Sequence, residues 1–384
     1  VVKWHSIRLF LTFAVLQGWH TRQIDFVLAY PQADVETELY MKIPKGFEVK
    51  DGKASDYALK LIRNLYGQKQ AGRVWNQHLH AGLIRLGFKQ SVVDECVYFL
   101  QHTIFLVYVD DGILISQSKA EIDAIIAAIA EDYDVEDQGE INDYLGVKVD
   151  KHPDGSIMLT QPHLIDQIIQ DLGLQVPRSK TRNTPALATQ VLRKDLHEPI
   201  WDDKAWKYRS VIGKLNFLEK STRPDIAYAV HQCARFSSDP RVTHAEAVKR
   251  IGRYLLATKD KGLLLTPKTD CSFECFVDAD YCGLWHWDTA PEDPMTSKSR
   301  TGYVIRYAGC PLIWVSKLQT ETALSTTEAE YVAISAALRE VLPLMELVKE
   351  AKTAGIRVPR GNVALHCKLF EDNEGAVELV RVPK

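Results

Sequence analysis

Apolar residues recur at helical spacing near the start of the chain, with Ile7, Leu11, Phe13 and Leu16 predicting a helix over residues 5–19. TRQIDFVLAY follows as a short strand with Asp25 near its middle or end. ELYMKIPKGF and the stretch around YALKLIRNLYG are mixed, with turn signals at Pro44-Lys45-Gly46 and Asp51-Gly52. Val74, Trp75, Leu79, Leu83 and Leu86 then return to helical spacing between Gln70 and Leu86. The clearest local signal is IFLVYVDDGILIS, residues 104–116, where two apolar strand-like runs flank Asp110-Asp111-Gly112. Asp-Gly suits the left-handed backbone of a tight hairpin turn. Two acids at such a tip are also what a plain solvated turn would carry.

Residues 119–132 predict a helix and DYLGVKVD a strand. Residues 176–205, rich in Pro, Thr, Asp and Lys, read as a linker or exposed loop. Residues 206–258 are largely helical in pattern, punctuated by Pro224, Asp239-Pro240 and Thr243. After Gly262 the pattern changes, and FECFVDADYCG, TGYVIRYAG and CPLIWVSKL predict three successive strands. A long helix follows from STTEAEYVA, with Ser325 or Thr326 as its N-cap and Glu328 close behind. ALHCKLFEDNE is a fourth strand ending in acids, and EGAVELV begins a second helix. Strand-strand-strand-helix-strand-helix is an α/β plan.

At 384 residues the chain suits two or three domains of roughly 100–200 residues each. Its 46% hydrophobic and 25% charged content is that of a globular protein. The net charge of −3 does not advertise a nucleic-acid binder, yet a basic groove can coexist with an acidic remainder. Seven cysteines without a paired Cys-x-x-Cys spacing fit free thiols in a reducing compartment better than a zinc site. The apolar run near the start covers about ten residues, short of the roughly 20 that span a bilayer, so no membrane partner is expected. A chain that opens without Met, inside a helical pattern, reads as a fragment.

Phosphoryl transfer between polynucleotides needs two divalent ions roughly 4 Å apart, and hard ions such as Mg²⁺ take carboxylate oxygens. Such a site requires Asp or Glu from separate elements converging on one point. The N-terminal half offers Asp25 on one strand, with Asp110 and Asp111 at a hairpin. The C-terminal half offers Asp278 on the first strand, Glu330 in the helix and Asp372 at the end of the fourth strand. Asp280, two residues from Asp278, is an auxiliary acid or a strand-end marker. Taken singly, each acid is better read as ordinary surface. Their order and flanks change that weighing.

IDFVLAY, LYGQKQAGRVW, GF, YVDDGILIS and DYLGVKV stand in the order seen in reverse transcriptases of copia-type elements. TRPDIAYAV resembles the same family's stretch between polymerase and nuclease, and VDADYCG, SKSRTGYVI, WVSKLQ, LSTTEAEYVA and EDNEGAV resemble its RNase H domain. The chain thus resembles a copia-type (Pseudoviridae-like) retrotransposon Pol polyprotein over nearly its whole length. The resemblance implies α/β and α+β domains in three parts. Residues 1–160 would form partial fingers and a ferredoxin-like palm, 161–265 a helical thumb or connection with its linker near 176–205, and 266–384 an RNase H-like domain.

By the same resemblance Asp25, Asp110 and Asp111 are polymerase metal ligands, and Asp278, Glu330 and Asp372 are three of four nuclease carboxylates. Each site would hold two Mg²⁺ ions, with Mn²⁺ as a substitute. Tyr30 resembles the ring under the incoming nucleotide's sugar, against its reading as simple core. Gln68, Lys69, Gln70 and Arg73 are candidates for template or triphosphate contacts, or a solvated helix start. Leu145 and Gly146 resemble the primer grip, where close backbone approach would explain the glycine. The implied partners are an RNA template, a DNA primer, an RNA–DNA hybrid and deoxynucleoside triphosphates, with assembly into a homodimer or particle. The implied location is cytoplasmic virus-like particles, with entry to the nucleus.

The chain also departs from the family pattern. Basic fingers sequence expected before residue 1 is absent, and the fourth nuclease acid is expected beyond residue 384. Gly72 stands where the family has Pro, EDNEG replaces Asp-Asn-Gln-Ser, and WHWDTAPEDPMT lengthens the first nuclease turn. The expected function is RNA-directed DNA polymerase with RNase H-type ribonuclease. The alternatives are a catalytically inactive relic or domesticated nucleic-acid-binding scaffold, and a nuclease whose polymerase half is structural.

Overall fold

The computed structural model describes residues 1–175, 180–187, 191–194, 196–268, 271–288, 290–358 and 365–381. The chain forms two compact units, each gathered from separated segments. The first comprises Val1–Lys3, Gln17–Ile141 and Leu347–Val358, and the second Trp4–Leu16, Asn142–Glu346 and Pro359–Lys384. Helix α1 spans Trp4–Gln17, and its residues Ser6 to Ala14 are all buried, as an all-round apolar helix requires.

The first unit carries β1 (His20–Phe26), β2 (Tyr40–Lys42), β3 (Ala58–Lys60), α2 (Ala71–Arg85), β4 (Lys89–Gln90), β5 (Val97–Leu100), β6 (Thr103–Tyr108), β7 (Asp111–Ser116), α3 (Lys119–Ala130) and β8 (Val135–Gly139). An antiparallel sheet runs in the order β4-β5-β6-β7-β1-β8, and β2 and β3 pair separately. The apolar runs predicted to flank the acids are β6 and β7, buried along nearly their whole length. Val74, Trp75, Leu79 and Leu83 of α2 and Ile122 and Ile129 of α3 share one core with Ile24, Phe26, Phe105 and Leu114 of the sheet. Ser118 caps α3, its hydroxyl accepting from the Glu121 N–H at 3.3 Å.

The second unit carries β9 (Asp143–Tyr144), β10 (Val147–Lys151), β11 (Ile157–Thr160), α4 (Pro162–Asp171), α5 (Tyr208–Ser221), α6 (Ala227–Ala234), α7 (Val242–Ala257), β12 (Leu263–Leu265), β13 (Phe273–Asp280), β14 (Arg300–Tyr307), β15 (Cys310–Leu318), α8 (Thr326–Thr353) up to Glu346, β16 (Cys367–Phe370) and α9 (Glu374–Arg381). One sheet is β12-β11-β10-β9, and α4 to α7 bury a shared core that includes Ile168, Leu215, Val230 and Ile251. A second sheet is β15-β14-β13-β16, with β16 parallel to β13 and the other pairs antiparallel. The expected sequence of three strands, helix, strand and helix is present as β13-β14-β15-α8-β16-α9. Ser325 caps α8, accepting from the Glu328 N–H at 3.1 Å, while the Glu328 carboxylate accepts from the Leu324 N–H at 2.7 Å.

One local expectation changes. DYLGVKVD is not one strand but the hairpin β9–β10, in which Tyr144 pairs with Val147 across Leu145 and Gly146. Both turn residues are left-handed, at φ 54° and 74°, so the turn itself explains the glycine. Of the expected linker, 176–179, 188–190 and 195 lie outside the described residues. Its described part carries no helix or named strand, only an isolated bridge from Ile200 to Arg241.

TRPD is built into the fold of the second unit. The Arg223 side chain is 1% exposed and donates to both Asp225 oxygens at 2.9 and 2.7 Å, to the Thr258 carbonyl at 3.0 Å and to its hydroxyl at 2.7 Å. Tyr254 donates to Asp225 at 2.8 Å. Burial pushes Asp225 up, but Arg223 and Tyr254 outweigh it and hold the carboxyl below its ordinary range. The Arg8 guanidinium, also buried in this unit, donates to the Leu312 carbonyl at 2.6 Å and to the Ser221 carbonyl at 2.9 Å, and lies 4.2 Å from the Trp314 ring centre.

Candidate functional site

In the first unit, strand pairing sets Asp25 directly opposite Asp111. The β6–β7 hairpin closes between Tyr108 and Asp111, so its tip is Val109–Asp110. The turn therefore lies two residues before the expected Asp111-Gly112. Val109 is left-handed at φ 58°, a strained position for a β-branched residue. Two contacts hold it: Trp75 Nε1 donates to the Val109 carbonyl at 2.6 Å, and the Phe26 N–H donates to the Asp110 carbonyl at 2.8 Å. Gly112 sits inside β7, where a Cβ would lie 2.6 Å from Phe105 Cε2 and 2.9 Å from Ile24 Cγ1. Close packing, not turn geometry, requires that glycine.

Burial raises the Asp25 carboxyl above its ordinary range, and Asp110 and Glu136 add to the rise. Asp111 is pushed up to about 6 by burial, then by Asp110 and Asp25. Glu136, on β8 opposite Asp25, is an acid that the sequence pattern did not single out. The oxygen-only chemistry of these carboxylates suits Mg²⁺, but Asp25, Asp110 and Asp111 are not among the described acids whose oxygens all lie within 4.8 Å of one another.

In the second unit, Asp278, Glu330 and Asp372 come from β13, α8 and the β16–α9 connection. Each offers an oxygen within 4.8 Å of the other two, the one such trio among the described residues. Glu330 is 7% exposed, and its Oε2 is buried with no hydrogen-bond partner. Burial pushes it up to about 7, with Glu371, Asp278 and Asp372 adding in that order, while a backbone hydrogen bond at Ala279 opposes them. Glu371 is itself raised by burial. A cavity of about 660 Å³ beside the trio is lined by Asp278, Glu371, Asp372 and Arg381 among others. A buried carboxylate oxygen without a partner is the observation that fits a cation here.

Residues 1–188 match the family described as "Reverse transcriptase (RNA-dependent DNA polymerase)". The chain is 31% identical to the retrovirus-related Pol polyprotein from transposon RE1 of Arabidopsis thaliana, over 100% of its own length and 25% of that protein's. It is 32% identical to the corresponding polyprotein from transposon TNT 1-94 of Nicotiana tabacum, over 99% and 28%. A putative transposon Ty5-1 protein of Saccharomyces cerevisiae is 28% identical over 83% of this chain and 100% of that protein. The chain belongs with the Pol polyproteins of copia-type retrotransposons, and its first half with the reverse transcriptases. It spans about a quarter of the length of the two polyproteins.

Within the reverse transcriptase region, Tyr30 stacks on Tyr66 with ring centres 4.5 Å apart. The Tyr66 hydroxyl donates to Asp110 at 3.5 Å, so this ring, which the pattern did not mark, reaches one of the hairpin acids. Gly72 faces the pair, where a Cβ would lie 3.3 Å from the Tyr30 hydroxyl. Gln68 accepts from the Leu65 N–H at 3.3 Å, Lys69 is exposed, and Gln70 occupies the N-cap position of α2 without a side-chain cap. Arg73 is exposed and pairs with Glu36 and, at 3.0 Å, with Gln77. Leu145 and Gly146 belong to the second unit. No helix among the described residues is long and apolar enough to cross a membrane.

Proposed function

We propose that this chain carries the RNA- and DNA-templated DNA polymerase of a copia-type element, with an RNase H-type centre in its second unit. On this reading the first unit is palm with partial fingers, α4–α7 the thumb or connection, and β13–α9 the nuclease domain. Asp25, Asp110 and Asp111 would hold divalent ions, as would Asp278, Glu330 and Asp372. Bound there, such ions activate the attacking oxygen and stabilise the leaving one.

The observation that carries the polymerase reading is the Asp25–Asp111 cross-strand pair beside a strained hairpin tip fixed by Trp75 and Phe26. Strain retained in a well-packed sheet belongs with function more than with stability. The two strands fix where the carboxylates stand before any substrate arrives, so little is lost in arranging them. Tyr30, braced by Tyr66, would stand beneath the sugar of a deoxynucleoside triphosphate and exclude a 2′-hydroxyl. In the reaction the primer 3′-oxygen forms a bond to the α-phosphorus, the bond to the bridging β-oxygen breaks, and pyrophosphate leaves. The partners are an RNA or DNA template, a DNA primer and, at the second centre, an RNA–DNA hybrid, whose RNA strand its 2′-hydroxyls distinguish.

The test is primer extension on an oligo(dT)-primed poly(rA) template with labelled deoxynucleotide and Mg²⁺. Incorporation by the chain, lost in Asp110→Asn, is expected. Incorporation unchanged by that substitution, or none from folded protein, would overturn the reading.

A further inference from the structure

We propose that Tyr66 is a positioning residue for nucleotide selection, holding the Tyr30 ring with its own ring and the Asp110 carboxylate with its hydroxyl. The inference rests on the polymerase reading, in which Tyr30 stands beneath the sugar and Asp110 holds a divalent ion. The local chain builds the arrangement. Beyond β1, Leu28 is left-handed at φ 50°, and Tyr30 opens the single turn Tyr30–Gln32. Asn64, fully buried, clips the Tyr66 segment to the end of that turn. Its side-chain amide donates to the Ala33 carbonyl at 3.1 Å and the Asp34 carbonyl at 2.7 Å, and its own N–H to the Ala33 carbonyl at 3.0 Å. Tyr66 is then the second residue of a tight turn closed from the Gln68 N–H to the Leu65 carbonyl at 3.4 Å. Gly67, left-handed at φ 93°, supplies the third position that such a turn demands. The Gln68 side chain closes the same turn by accepting from the Leu65 N–H at 3.3 Å.

These clips bring two contacts to one side chain. The Tyr66 and Tyr30 rings stack with centres 4.5 Å apart and planes 30° apart. The Tyr66 hydroxyl donates to Asp110 Oδ2 at 3.5 Å. Burial raises that hydroxyl above its ordinary range, Asp110 and Tyr30 add to the rise, and a backbone hydrogen bond at Ala29, the residue before Tyr30, opposes it. The group therefore stays a donor at neutral pH. Carboxylates that hold metals are themselves oriented by hydrogen bonds, and the Tyr66 hydroxyl is such a donor for Asp110. A ring excludes a 2′-hydroxyl only while it is held in one place. On α2, Gly72 presents no side chain to the Tyr30 hydroxyl, so the stack with Tyr66 supplies support that this side does not. One residue thus aligns the sugar gate and a metal ligand together.

The experiment is primer extension by the 384-residue chain on oligo(dT)-primed poly(rA), with dUTP and UTP compared as substrates that differ only at the 2′ position. The ratio of their kcat/KM values and the Mg²⁺ concentration for half-maximal rate are measured for wild type, Tyr30→Ala, Tyr66→Leu and Tyr66→Phe. The ratio is read on active molecules alone, so partial unfolding of a variant does not move it. Tyr66→Leu is expected to lower the ratio about two- to tenfold, the size of an aromatic pair's preference. Tyr66→Phe, which keeps the ring, should restore the ratio yet need roughly tenfold more Mg²⁺, as loss of a hydrogen bond to a ligand does. A lower rate in Tyr66→Leu at the wild-type ratio, with the ratio lost in Tyr30→Ala, would make Tyr66 merely structural and overturn the proposal. Wild-type Mg²⁺ dependence in Tyr66→Phe would overturn it as well. If Tyr30→Ala keeps the ratio, Tyr30 is no gate and the proposal falls, while the polymerase reading, tested by Asp110→Asn, stands. No incorporation by wild type removes both.

Discussion

Replacing Gly112 with Ala should loosen the hairpin that carries Asp110 and Asp111. On conformational entropy alone, Ala in a strand interior would stabilise by about 0.5–1 kcal/mol. Packing reverses that sign. The added Cβ would stand 2.6 Å from Phe105 Cε2 and 2.9 Å from Ile24 Cγ1, well inside the roughly 3.5 Å at which carbon atoms rest. Phe105 and Ile24 are both 0% exposed, so neither can swing into solvent. Forcing one methyl into such a place costs about 1–3 kcal/mol. Peptide-level hydrogen exchange over residues 103–116 reads the opening of these strands without requiring the whole chain to unfold in one step. A cost in that range appears as a loss of protection of roughly five-fold to more than 100-fold. Primer extension should fall with it, since Asp111 is the neighbour of the displaced residue. Protection that is unchanged or increased in Gly112→Ala would refute the packing argument.

The second unit supports two further predictions. Arg223→Ala leaves Asp225 without its charged partner, with only the Tyr254 hydroxyl still donating to it, and should cost about 3 kcal/mol in a urea titration, toward the low end for broken buried pairs because Asp225 keeps 34% of its side-chain exposure; a loss below about 1 kcal/mol would show the pair to be incidental. His231 is pushed down to about 4 by burial, then by Arg300, Arg235, Lys220 and Lys317. Its folded value lies below the unfolded one, so its contribution is complete above about pH 6.5 and is lost as pH falls toward 4, by up to about 3 kcal/mol. His231→Gln should flatten that part of the stability profile relative to wild type, and the same loss of stability between pH 7 and pH 4.5 in both proteins, read from denaturation curves, would contradict it.

Much of this arrangement was legible in the sequence because it is local. The apolar runs around Asp110 and Asp111 predicted two strands, and helical spacing from Gln70 predicted α2. Asp278, Glu330 and Asp372 were marked on three separate elements, and the structure brings their oxygens together. What was missed depends on partners distant in the chain. Asp-Gly is a good turn pair, yet the Trp75 and Phe26 contacts hold the turn at Val109–Asp110 and leave Gly112 in the strand. Leu145 gave no sign of a left-handed turn, since leucine rarely adopts one. Tyr66 and Glu136 stand beside the acids only once strands and loops have paired, and only the fold brings Glu371, the chain neighbour of Asp372, near Glu330. Contiguous domain boundaries likewise cannot express a unit that draws on residues 17–141 and 347–358 at once.

The guanidinium of Arg8 sets a timetable for synthesis. Its carbonyl partners at Ser221 and Leu312 lie 213 and 304 residues further along. A ribosome adding about 5–20 residues per second reaches Leu312 roughly 15–60 s after Arg8. For that interval α1 has a full complement of buried residues and no finished place to put them. Contacts of such long range slow folding, and unpaired apolar segments invite association with other chains in the meantime. Helix α1 precedes these partners by hundreds of residues and is among the last elements to be secured, so its shelter during translation has to come from something other than its native neighbours.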